Sequence, residues 1–130
     1  MQKVTKTLLD KRSSSFAKIL FVAYSFFLGI VTLIPTTMIQ SGGESWLSKI
    51  KIENGDKVVH AALFFIFAFL LYYSGWTQKK LGLFLIPFLV GILIEFLQDY
   101  LGWGRTFDLW DILGNTIGIL IAYVIINKLK

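Results

Sequence analysis

The stretch LGLFLIPFLVGILIEFLQDYL, residues 81–101, decides how this chain must fold. It is apolar over about the 20 residues a helix needs to cross a bilayer, and its charged side chains, Glu95 and Asp99, fall in its last third. Three further stretches have the same character: Phe16 to Ile34, Val58 to Trp76 and Leu109 to Ile126. Apolar residues make up 55% of the 130-residue chain and charged residues only 16%, well under the roughly 25% of soluble domains, so the apolar excess points to lipid. The expected fold is all-α: an integral membrane bundle of four transmembrane helices over residues 16–130, behind a basic tail at residues 1–15.

The formal net charge of +5 does not indicate nucleic acid, because the basic residues stand singly or in pairs between the apolar stretches, where topology explains them. With no cysteine, disulfides, thiolate metal sites and a cysteine nucleophile are excluded. Lys3, Lys6, Lys11 and Arg12 before an apolar run also resemble the start of a signal peptide, but that run is longer than the roughly 7–15 residues of a signal core. It is expected to stay as the first helix.

Pro35 should stop that helix. Thr36 to Gly55 reads as the one long loop, in which Trp46, Leu47 and Ile50 suit a short interfacial helix and the alternation from Lys49 to Glu53 equally suits a brief strand. The few residues from Thr77 to Lys80 force the second and third helices to be antiparallel neighbours. Pro87 removes a backbone donor and should free the carbonyl of Leu83, bending the third helix. Gly114, Gly118 and Ala122, spaced by four, present a small-residue stripe suited to close helix packing. Trp46, Trp76, Trp103 and Trp110 fall near span ends, where indole rings prefer to sit.

Four crossings put nine basic residues (Lys3, Lys6, Lys11, Arg12, Lys18, Lys79, Lys80, Lys128 and Lys130) on one side and four (Lys49, Lys51, Lys57 and Arg105) on the other. The positive-inside rule then places both termini in the cytoplasm. The ionisable and amide residues of the spans gather toward the opposite, outer side. Asp56 and His60, and Asp111 and Asn115, are four apart, while Glu95 and Gln98, and Asp108 and Asp111, are three apart, so each pair can share a helical face. Glu95 lies about 9 Å inside the end of its helix at 1.5 Å per residue, where the negative end of the helix dipole opposes it, so it must be protonated or partnered. Arg105 and His60 are the available partners.

Simpler explanations stand beside the functional one. Asp56 and Asp108 suit N-caps, with Thr106 an alternative cap, and Asp111 suits the first turn of the fourth helix. Lys57 can snorkel to the headgroups. A single histidine is more often a hydrogen-bonding residue than a ligand, so no metal and no cofactor are expected. Asn115 is deeper in its helix and needs another helix to satisfy its amide.

Taken in order, Asp56-Lys57-x-x-His60, Glu95-x-x-Gln98 and Arg105-x-x-Asp108-x-x-Asp111-x-x-x-Asn115-x-x-Gly118 resemble the signature of VanZ-like membrane proteins, and Pro35 fits as well. The resemblance covers the second to fourth helices and departs at Ala122, where many relatives carry another glycine. It implies a small bacterial protein of about four helices in the cytoplasmic membrane. The family is named for a member associated with low-level resistance to the glycopeptide teicoplanin, and the resemblance implies no particular reaction.

The binding set expected from these residues is Asp56, Lys57, His60, Glu95, Gln98, Arg105, Asp108, Asp111 and Asn115. An outward-facing pocket would take an envelope component such as a lipid-linked headgroup or a glycopeptide-like ligand, with membrane lipids as neighbours and no nucleic acid. The second reading is an intramembrane enzyme with His60 or Glu95 as general acid or base, and it has no evident nucleophile. The third is a scaffold in which the polar residues only lock helices. The orientation is tested by reporter fusions: reporters after Lys80 and at the C-terminus are expected to be active only in the cytoplasm, and activity only outside would remove the outward-facing site.

Overall fold

The computed structural model describes residues 15–34, 55–77, 79–102, 104 and 106–129, with Gly55 and Asp56 described in their backbone only. The basic tail before Ser15, Pro35, the loop segment around Trp46, and the residues Trp103 and Arg105 lie outside the described residues. The described residues form four α-helices: α1 (Ser15–Leu33), α2 (Gly55–Ser74), α3 (Lys80–Leu101) and α4 (Leu109–Leu129). All four are long and apolar enough to cross a membrane. No more than 39% of any spanning window is buried inside the bundle, and every helix presents exposed apolar side chains on an outward face. Those outward faces carry Phe26, Leu89 and Ile121, a surface that is stable in hydrocarbon and not in water.

The helix ends follow from local chemistry. Gly75 and Gly102 both adopt the left-handed conformation that glycine enters without a Cβ penalty, and the Gly102 amide donates to the Asp99 carbonyl as α3 closes. α3 continues through Pro87, which is buried against the bundle. Asp56 falls in the first turn of α2, which begins at Gly55. Asp108 does cap α4: its Oδ1 accepts the backbone N–H of Trp110 at 2.8 Å.

The core is built from Phe21 and Leu28 of α1, Phe64 and Leu71 of α2, Leu83 of α3 and Ile119 of α4. Phe67 adds a ring contact to Phe21, their centroids 5.1 Å apart. The most extensive packing is between α2 and α4, and the small-residue stripe makes it. A Cβ at Gly114 would lie 2.9 Å from the Lys57 carbonyl oxygen, and one at Gly118 would run into the carbonyl oxygen of Ala61. Ala122 is fully buried one turn further on. The two backbones therefore touch where side chains would ordinarily hold helices apart.

Gly118→Val is expected to lower stability in detergent by at least the 1–3 kcal/mol typical of overpacking, because the obstacle is backbone and cannot rotate away. Gly29, with open space around its Cβ position, is the control: Gly29→Ala should be neutral or stabilising by up to about 1 kcal/mol. Thermal unfolding of the purified variants reads both, and an unperturbed Gly118→Val would refute the close packing.

Candidate functional site at the polar end of the bundle

The polar side chains of the spans meet where α1 ends, α2 begins, α3 ends and α4 begins. Lys57, in the first turn of α2, sets its Nζ 3.2 Å from both Asp108 Oδ2 and Asp111 Oδ1. One turn deeper, His60 Nδ1 is 3.0 Å from Asn115 Oδ1, and its Nε2 faces Asp111 Oδ2 at 3.9 Å. The ring is therefore held between two residues of α4 that are four apart, as helical periodicity requires of one face.

Glu95 is fully buried and reaches α4 from α3. The backbone N–H of Asp108 donates to its Oε2 at 3.2 Å. Its carboxylate thus sits against the amino end of α4, where the partial positive charge of the helix dipole favours it. This answers the objection raised by its own helix, whose negative end lies nearby. Arg105, the partner expected from sequence, lies outside the described residues.

Gln98 serves a different contact. Its Nε2 donates to the Thr32 carbonyl at 2.6 Å, satisfying one of the last carbonyls of α1 and tying α1 to α3. Thr32 itself is buried and bonds back to the Leu28 carbonyl at 2.7 Å. The side chain of Asp56 lies outside the described residues. Of the expected set, Lys57, His60, Glu95, Asp108, Asp111 and Asn115 form one connected cluster, and Gln98 stands apart as a helix tie.

Gly91 also belongs to the site. A Cβ there would lie 3.0 Å from Asn115 Nδ2, so the missing side chain leaves room for the buried amide. The signal in the sequence is its position, four residues before Glu95 on the same face of α3. A groove of about 400 Å³ opens beside Lys57 and is otherwise lined by Trp110, Leu113, Gly114 and Ile117. Except for Lys57 these residues are apolar or glycine; the sequence marked Trp110 as a span-end indole and Gly114 as part of the small-residue stripe, and Leu113 and Ile117 share their face of α4. His60, Glu95 and Asp111 each offer a ligand atom within 4.8 Å of the other two.

A double-mutant cycle tests the ion-pair network. Lys57→Met and Asp111→Asn should each lower the thermal midpoint in detergent, and the double variant should lose less than their sum, with a coupling of about 0.5–3 kcal/mol. Additive losses would show that the two side chains do not act as a pair.

No curated protein and no solved structure showed significant similarity to the chain in either comparison. Residues 6–130 do match the family model described as VanZ/LLP1. That match spans essentially the whole four-helix bundle and every residue of the polar cluster, and the chain therefore belongs to the VanZ/LLP1 family of membrane proteins.

Proposed function

We propose that this protein resides in the bacterial cytoplasmic membrane and binds an amphiphilic envelope component, a lipid-linked headgroup or glycopeptide-like ligand, at the polar end of its bundle. The groove beside Lys57 carries this reading. Its volume of about 400 Å³ falls in the range of small-molecule sites, and its walls of Trp110, Leu113 and Ile117 suit hydrocarbon. These walls are exposed on the outward face of α4, so an occupant enters from the bilayer.

Lys57 is where the groove meets the ion-pair network, and Asp108, its partner, is the more exposed of the two aspartates that hold it. A hydrocarbon chain lies along α4, with its headgroup beside this pair. Among the described side chains Lys57 is shared by two carboxylates, Asp108 and Asp111, so a headgroup rich in donors, such as sugar hydroxyls or an ammonium, fits best. His60, Glu95 and Asn115 do not line the groove, which favours binding over general acid–base catalysis by these groups. Their deep burial also suits a purely structural role, the reading from which ligand binding has to be separated.

Native mass spectrometry of protein extracted in mild detergent makes that separation. Wild type should retain an amphiphile, and Leu113→Trp combined with Ile117→Trp, which fills the groove from exposed positions, should lose it at unchanged membrane abundance. Leu89→Trp, on the outward face of α3, should behave as wild type. The same groove-filling variant is expected to change sensitivity to envelope-targeting compounds, glycopeptides included. Retained amphiphile, or a phenotype that only tracks the amount of folded protein, would leave the structural role as the answer.

A further inference from the structure

We propose that His60, Glu95 and Asp111 bind a divalent transition-metal ion, one ligand coming from each of α2, α3 and α4. This goes beyond the amphiphile-binding reading and does not depend on it.

The donor set is one imidazole and two carboxylates, with ligand atoms mutually within 4.8 Å and all three residues buried. Ions of the zinc class hold imidazole nitrogen and carboxylate oxygen at about 2.0–2.2 Å in tetrahedral geometry, so donors around one ion stand about 3.4 Å apart. The three ligand atoms are already near that spacing. His60 Nε2 faces Asp111 Oδ2 at 3.9 Å, beyond a hydrogen bond.

The second observation is the orientation of the ring. His60 Nδ1 is 3.0 Å from Asn115 Oδ1, and with Nδ1 donating to that oxygen the neutral ring turns the bare lone pair of Nε2 toward the acidic groups. The residue is 5% exposed, and Nε2 makes no hydrogen bond among the described residues. A cation between Nε2 and Asp111 Oδ2 would engage both. An amide oxygen fixing the tautomer of a ligating histidine through its far nitrogen is the usual outer support of such sites.

Lys57 is engaged with Asp108 and with the outer oxygen of Asp111, leaving Asp111 Oδ2 turned toward His60. Three protein ligands leave at least one coordination position for water or another oxygen donor, as in metal sites that are not closed structural ones.

The test is titration of the chelator-treated full chain in detergent with Co²⁺. Wild type should bind one ion per chain with the visible absorption of a low-symmetry site, and Zn²⁺ should displace it. His60→Gln, Glu95→Gln and Asp111→Asn should each abolish the spectrum, Asn115→Leu should weaken binding about 10- to 100-fold, and Asp99→Asn should leave it unchanged. X-ray absorption of Zn²⁺-loaded wild type needs no variant and should show one imidazole with oxygen neighbours at about 2.0–2.2 Å. No Co²⁺ spectrum in wild type, which is what an imidazolium–carboxylate pair predicts, would overturn the proposal. So would a zinc shell of oxygen alone, or a spectrum that survives all three ligand variants. None of these readouts passes through the groove, so failure of the metal site and failure of amphiphile binding are separate results.

Discussion

The contact of the α2 and α4 backbones at Gly114 and Gly118 sets the position of everything polar in this protein. Lys57 lies against Gly114 and Ala61 against Gly118, one turn further along both helices, so the pair is locked in a parallel register. In that register Lys57 meets Asp108 and Asp111, and His60 meets Asp111 and Asn115. A side chain at either glycine would meet a backbone carbonyl of α2 and push the two helices apart, most at Gly118. The polar contacts therefore depend on the absence of two side chains that carry no polarity themselves.

Parallel packing has an electrostatic cost, since two helix amino ends, each carrying about half a positive charge, are brought side by side. The acidic residues are placed to meet it. Asp108 caps α4, Asp111 lies in its first turn, and Glu95 arrives from α3 to accept the Asp108 amide. Away from water such interactions are less screened, so misplacing a single carboxylate would be felt more strongly than on a soluble surface. The helix amino ends thus account for where these acidic residues stand.

The polar end divides into two regions of different chemistry. At the rim, Lys57 and Asp108 are partly exposed beside an apolar groove open to the bilayer. One turn inward, His60, Glu95 and Asn115 are closed off from it, and Gly91 makes the space for the Asn115 amide. Asp111 joins the two, with one oxygen toward Lys57 and the other toward His60. An event at the rim that moved Lys57 would reach the inner cluster through that one carboxylate.

The sequence alone was enough for the four spans, their order, the small-residue stripe and the family resemblance, because hydrocarbon thickness and backbone satisfaction leave a long apolar stretch little choice but a crossing helix. It also marked the residues of the cluster, since charge inside a span is costly enough to stand out. It did not assign their partners. Helical spacing placed Glu95 on a face but not against the amino end of α4, and Gln98 looked like part of the cluster until its amide was found on the Thr32 carbonyl. Gly91, Trp110, Leu113 and Ile117 carried no polar signal. Periodicity along a helix determines which residues share a face, whereas the partner of that face depends on the rotation and register of neighbouring helices, and those are settled only when the backbones of α2 and α4 close on Gly114 and Gly118.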